Sequence, residues 1–181
     1  MDTDEPGEGE PGSLETWSRS ASLGAPVYRA PASADDLDRE LGRYTPEGGI
    51  GLLDTPAWER KPETIHLRAL TLVDLAVLCL QPSPGELDRA GSFLKALDSI
   101  QAVGGRVPSW VILLTRTHHT ASAPAETREV LEEVGYTVLR SQVPDEHSRS
   151  GLGQSHGKPI PVNHSGPMGR LAAELFSAVT A

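Results

Sequence analysis

Apolar runs and apolar stripes take turns along most of this chain. Leu75 to Leu80 and Val107 to Leu114 are short, nearly continuous apolar runs bounded by turn residues, and Tyr136 to Leu139 is a third, shorter one. Such runs are the pattern of strands covered by helices on both faces. Between and after them, apolar positions fall at helical spacing. Leu87, Ala90, Leu94 and Leu97 form one stripe, widened by Phe93 and Ile100, in a helix that begins near Glu86 and stops at Gly104-Gly105. Ala125 to Val134 predicts another helix, with Pro124 in its first turn and Gly135 just past its end. Pro167 to Val179 predicts the last, with Leu171, Leu175 and Val179 on one face.

The first seventy residues carry the same alternation in weaker form. Ser13 to Ser20 predicts a short helix with Leu14 and Trp17 on one side, and Pro26 to Arg29 a short strand. Ser33 is a good N-cap for a helix over Ala34 to Tyr44, in which Leu37 and Leu41 recur at helical spacing. Gly49 to Asp54 reads as a buried strand, and Ile65 to Leu72 as a brief helix. The whole order predicts an α/β domain with a mostly parallel sheet, right-handed crossovers and helices on both faces. At 181 residues one domain is expected, over 13–181, preceded by an acidic flexible segment over 1–12 that has almost nothing to bury. Ser141 to Ser165 is the longest expected loop.

Composition narrows the class. A formal charge of −9 argues against a protein whose whole surface binds nucleic acid. A local basic face built from Arg140, Arg149, Lys158 and Arg170 is a candidate DNA contact, although Asp145 and Glu146 interrupt it and an ordinary solvated loop is the plainer reading. Cys79 is the only cysteine and lies inside an apolar run, which predicts a small buried side chain and leaves no intramolecular disulfide. The start resembles no signal peptide and no apolar run approaches membrane-spanning length, so a soluble, cytoplasmic protein without a membrane partner is expected. His118 and His119 are adjacent, and His147, His156 and His164 share one loop without a recognised ligand spacing. No Gly-x-Ser-x-Gly elbow is present to support a serine hydrolase.

The stretch richest in candidate chemistry is Gly49-Ile50-Gly51-Leu52-Leu53-Asp54-Thr55-Pro56. A strand ending in Asp-Thr-Pro would deliver a carboxylate to the edge of a sheet, where ligands gather in open α/β folds and where magnesium can be held beside phosphate. The competing reading, in which Asp54 only caps the next segment, stands level with it.

Five stretches then follow one another in a telling order. They are Asp2-Thr3-Asp4 with Pro11-Gly12-Ser13 and Trp17; Ile50 to Pro56; Asp74 to Leu80 with Gln81-Pro82-Ser83; Val111 to Leu114 with Thr115-Arg116; and the helix, glycine and strand of Glu126 to Val138. In this order the chain resembles the ParA/MinD-type partition ATPases of the deviant P-loop class, over nearly its whole length. The resemblance implies a P-loop NTPase-like fold and a magnesium-dependent ATPase of plasmid or chromosome partitioning. It implies that Asp54, on the Walker B strand, holds magnesium through water and that Asp4 lies in the first switch region, ordering the attacking water. Thr55 and Pro56 would belong to the nucleotide site, with Thr115, Arg116, Pro144 and the residues just after it near the base. It also implies ATP as cofactor, a homodimer or a dimer with a full-length ParA-like protein, a ParB-like partner, DNA bound without sequence preference, and association with the nucleoid.

The family's phosphate-binding loop, Lys-Gly-Gly-x-Gly-Lys-Thr, has no counterpart in this sequence. Glu47-Gly48-Gly49-Ile50-Gly51 has the glycines but precedes an expected strand, and Gly151 to Lys158 continues into Pro159 where a metal-binding hydroxyl belongs. Two expectations follow. Either Met1 is an internal or misassigned start of a longer ATPase and the chain is inactive alone, or the chain is a non-catalytic interaction module that pairs with a complete homologue or a partner protein.

Overall fold

In the computed structural model, the residues described are 1, 13–20, 25–30, 34–55, 63–118, 120–145 and 165–180. The chain divides into two compact units, Met1–Leu72 with Leu152–Ile160, and Val73–Gly151 with Pro161–Ala181.

The second unit carries the sheet. Its strands are β1 (Leu75–Leu80), β2 (Ser109–Thr117) and β3 (Val138–Pro144), all parallel and in the order β1-β2-β3. The unit is thus α/β, as the alternation predicts. Each parallel step needs a crossover helix. Helix α4 (Pro84–Ala102) joins β1 to β2, and α5 (Ala123–Glu133) joins β2 to β3. Pro84 and Pro124 stand in their first turns. Gly104 and Gly135, at φ +71° and +89°, follow their ends in a conformation that costs a residue with a Cβ.

Helices lie on both faces. On one, α6 (Pro167–Thr180) brings Leu171, Met168 and Leu175 against Val111, Leu113 and Leu139. On the other, Phe93 of α4 meets Trp110 edge-on at 5.5 Å, and Trp110 in turn meets Tyr136 at 5.4 Å. Leu80, Ile112 and Leu114 are essentially fully buried. Each such side chain contributes about 1.5–3 kcal/mol relative to exposure.

Two expectations about β1 are corrected here. Its residues alternate between buried and exposed, with Val77 37% exposed and Cys79 also exposed. Both residues pair in register with Val111 and Leu113, on the α6 face of the sheet. Only Leu75 of β1 reaches the α6 cluster, so an apolar run that reads as covered on both faces is fully covered on one. Cys79 is therefore not the buried side chain expected.

In the first unit, α1 (Ser13–Ser20), a 3₁₀ turn at Ala34–Asp36, α2 (Leu37–Tyr44) and α3 (Glu63–Leu72) are the regular elements. Leu37, Ile65 and Ala69 form the core, with Leu41, Leu53, Leu72, Ala30 and Met1 packed on it. Tyr28 stacks on Tyr44 at 3.9 Å. The expected strands at Pro26–Arg29 and Gly49–Asp54 do not form: Arg29 and Asp54 are isolated bridge positions in otherwise irregular chain. Gly51 passes so close to Thr45 that a Cβ there would meet Oγ1 at 2.9 Å. Gly49 and Gly51 supply neither side-chain packing nor strand propensity, and Ile50 and Leu52 are 54% and 77% exposed. Among the described residues, no helix is long and apolar enough to cross a membrane.

Candidate functional site

At the carboxyl end of the sheet, hydroxyl groups tie the three strands together. Thr115 Oγ1 donates to the Leu80 carbonyl at 3.3 Å, joining the ends of β2 and β1. Thr117 Oγ1 donates to the Val143 carbonyl at 3.3 Å, and Asp145 N–H donates to the Thr117 carbonyl at 2.9 Å, joining β2 to β3. The β2–β3 register shifts between Ile112 and Leu114 and again between Leu114 and Thr117.

Arg116 stands between the two threonines at φ +51°, the only non-glycine residue at positive φ among those described. A side chain held there marks a backbone that its surroundings over-determine. Its guanidinium is fixed by Gln81. With the amide oxygen turned toward it, Gln81 accepts from Nη1 at 2.6 Å and Nε at 3.2 Å. Gln81, Pro82, Arg116, His118, Pro124 and Asp145 line a half-open cleft of about 470 Å³, with Ala121 and Ala123 at its α5 side. His118 Nε2 lies 3.5 Å from Asp145 Oδ2; the histidine is 64% exposed and the aspartate 18%. The cleft combines apolar walls with one cation and one recessed carboxylate, in the size range of small-molecule sites.

Beside it runs a broader groove lined by α5, β3 and the start of α6, whose lining includes Arg128, Arg140 and Arg170 as well as Glu129, Glu132 and Glu133. Here the free edge of β3 is closed by side chains. Arg128 Nη1 and Nη2 donate to the Val138 and Arg140 carbonyls at 3.3 and 3.5 Å. Glu174 Oε1 and Oε2 accept from the Arg140 and Ser141 N–H groups at 2.6 and 2.9 Å. Burial pushes the Glu174 carboxyl up, but the N–H groups of Ser141 and Arg140, the Ser141 hydroxyl and the Arg128 charge outweigh it and hold the group below its ordinary value.

The residues singled out in the sequence divide by location. Thr115, Arg116 and Pro144 stand together at the carboxyl end of β2 and β3, with Arg116 in the cleft and the Thr115 hydroxyl turned to the strand tie. Arg140 and Arg170 line the groove, where acidic residues share the lining. Asp54 and Thr55 are half-buried in the first unit; Asp54 N–H donates to the Met1 carbonyl at 2.8 Å, and the Met1 amino group reaches the Leu52 carbonyl. Asp54 is not part of the three-stranded sheet, which corrects its expected place at a strand end. Asp4, Pro56, Arg149 and Lys158 lie outside the described residues, as do most of the expected long loop and Gly151 to Lys158.

Gln81 was not singled out as a ligand contact, whereas Asp145 falls among the residues just after Pro144 that were expected near the base. The Gln81 signal was present, because Gln81-Pro82 directly follows an apolar run. The Gly48-Gly49 turn gives no phosphate cradle: Gly49 N–H is already used by the Pro46 carbonyl at 2.9 Å, and irregular chain follows it. Among the described residues no group of three or more metal-ligating side chains occurs. One carboxylate plus phosphate oxygens suffices for magnesium in many nucleotide sites. Asp54 supplies one carboxylate but is not at the end of a strand of the sheet, so its setting does not fit the ion.

No family model matches this chain, and no curated protein matches it. A solved structure titled "Partition Protein" superposes with a TM-score of 0.45 and 14% identity, over 71% of this chain and 34% of that one. The matched region thus spans about a third of that protein's length. The α/β assignment rests on the strand pairing described above and not on this likeness.

Proposed function

We propose that this chain is a ParA-like protein of DNA partitioning whose strand-end cleft receives the base of a purine nucleotide. One observation carries the reading: Gln81-Pro82 just after β1, Thr115-Arg116 in the last residues of β2 and Pro144-Asp145 at the end of β3 converge at one end of a parallel sheet. Ligands of open α/β sheets bind at that end. The apolar walls suit the faces of a flat heterocycle, and Arg116, fixed by Gln81, offers a planar cation to its edge or face. Pyrimidines fill less of such a cleft than purines. ATP belongs to this proposal through the family resemblance, with Asp4 as the switch acid; Asp54, which is not at the end of a strand of the sheet, takes no part in it.

A second reading is favoured by a different observation. The glycine turn at Gly48-Gly49 has its N–H committed to Pro46, and the chain carries no phosphate loop in its sequence. Under this reading the protein hydrolyses nothing and acts by pairing with a complete ParA-like homologue or a ParB-like partner.

Saturation-transfer NMR against the four ribonucleoside triphosphates tests the first reading. Transfer to purine base protons, weaker transfer to pyrimidines and loss of both in Arg116→Ala are expected. Absence of purine transfer overturns the nucleotide reading and leaves the interaction module. Hydrolysis of ATP above background by this chain alone overturns the account of the missing loop.

A further inference from the structure

Arg116 owes its direction to a break in the strand pairing. Leu114 pairs with Gln142 and Thr117 with Pro144, so three steps along β2 are matched by two along β3. One residue of β2 is extra there, the pattern of a β-bulge, and bulges beside sites re-aim a side chain. Arg116 lies inside this bulge at φ +51°. Glycine is the default residue for that conformation, so an arginine there carries backbone strain that contacts of its side chain must offset.

The offsetting contact comes from a different strand. Leu80 pairs with Leu114, and the Thr115 hydroxyl ties to the Leu80 carbonyl at 3.3 Å, which brings the next residue, Gln81, alongside Arg116. The Gln81 backbone is fixed in turn, because its carbonyl accepts from the Ser83 N–H at 2.8 Å. From this half-buried position the turned amide oxygen accepts from both Nη1 and Nε of Arg116, at 2.6 and 3.2 Å. Two donors on one oxygen restrict both the reach and the roll of the guanidinium. Arg116 is otherwise exposed, and a long exposed side chain without such a partner samples many rotamers.

We infer that Gln81 is the positioning residue of the cleft, holding the Arg116 guanidinium in place before a ligand arrives. The inference rests on the nucleotide reading of the cleft and adds that Gln81 acts on the ligand through Arg116. Immobilising one flexible side chain on binding costs about 2- to 10-fold in affinity, and an arginine already held avoids that loss.

The test compares the full chain with Gln81→Met, which keeps the length but removes the acceptor, and Gln81→Glu, which keeps an acceptor, each checked for native circular dichroism. Two quantities are measured. One is the Arg116 Nε–H signal in nitrogen–proton correlation spectra without ligand, identified by its absence in Arg116→Lys; the other is the ATP dissociation constant from saturation-transfer titration. The Nε–H signal is expected to be protected from solvent exchange in the native chain and in Gln81→Glu, and lost in Gln81→Met. ATP should bind about 2- to 10-fold more weakly to Gln81→Met and close to native strength to Gln81→Glu. An unprotected Nε–H in the native chain overturns the inference without any variant. Equal ATP affinity in the native chain and Gln81→Met overturns it while leaving the cleft a purine site. Weakening by Gln81→Glu that matches Gln81→Met removes the acceptor as the cause and overturns it as well. No ATP binding by the native chain overturns the nucleotide reading itself, and the inference with it.

Discussion

Gly49–Asp54 and Leu75–Leu80 look alike as sequence and differ as structure. Both are short apolar runs that end in a turn motif, Asp-Thr-Pro in one and Gln-Pro-Ser in the other. The second is β1, paired residue by residue from Leu75 with Ser109 to Leu80 with Leu114. The first stays irregular, with one bridge position and two exposed apolar side chains. A strand is a property of a pair. Leu75–Leu80 has no glycine and finds β2 alongside, whereas Gly49 and Gly51 break the other run, whose Leu52 carbonyl and Asp54 N–H meet Met1.

The largest expected contrast between these regions is energetic. Leu114→Ala, at a fully buried position of β2, is expected to cost about 2–5 kcal/mol. Leu52→Ala, at a position 77% exposed, should stay within about 0.5 kcal/mol. Urea unfolding of the two variants measures both, and similar losses would mean that the Gly49–Asp54 run is buried as a strand after all.

A smaller effect is expected at the far edge of the same sheet. Glu174→Gln removes the charge that accepts two backbone N–H groups of β3, at a cost of about 1 kcal/mol near neutral pH, the low end because the group is half exposed. The Glu174 carboxyl is lowered from 4.5 in the folded state, so its contribution is present above 4.5 and is lost as pH falls through the lowered folded value. Unfolding curves of wild type and Glu174→Gln should therefore converge in acid. A constant gap down to strongly acidic pH would rule out the ionised carboxylate as the cause.

The smallest effect belongs to β1 itself. Cys79→Ser should change stability by no more than about 0.5 kcal/mol, because the side chain is exposed. The native thiol should react with a disulfide reagent to one equivalent without denaturant. Reaction only after unfolding would restore the buried position expected from the sequence.

Helices were legible because their signals are local. The α4 stripe, the proline at the start of α5, and the glycines after both helices each act within a turn or two of chain, although α4 begins at Pro84, two residues before the expected Glu86. The α6 boundaries were read to within a residue for the same reason. β3 was legible only in part, since its polar second half, Arg140 to Pro144, has no apolar pattern and is strand by pairing with Leu114 and Thr117. The cleft was half legible. Thr115, Arg116, Pro144 and the residue after it stand at strand ends and could be named, but the Gln81 contact and the meeting of Arg116 with Asp145 in one cleft depend on strands that are far apart in sequence.

The sequence by itself determined the alternation of strand and helix in the second half of the chain, the places where helices begin and end, and the motifs that follow each strand, because periodicity, caps and turns are short-range chemistry. Tertiary structure decided which apolar runs became strands, which face of β1 stayed exposed, how Arg128 and Glu174 closed the β3 edge, and that Arg116 and Asp145 share one cleft. Those outcomes require a partner strand or helix from elsewhere in the chain, and hydrogen bonding and burial are satisfied only when the partners meet.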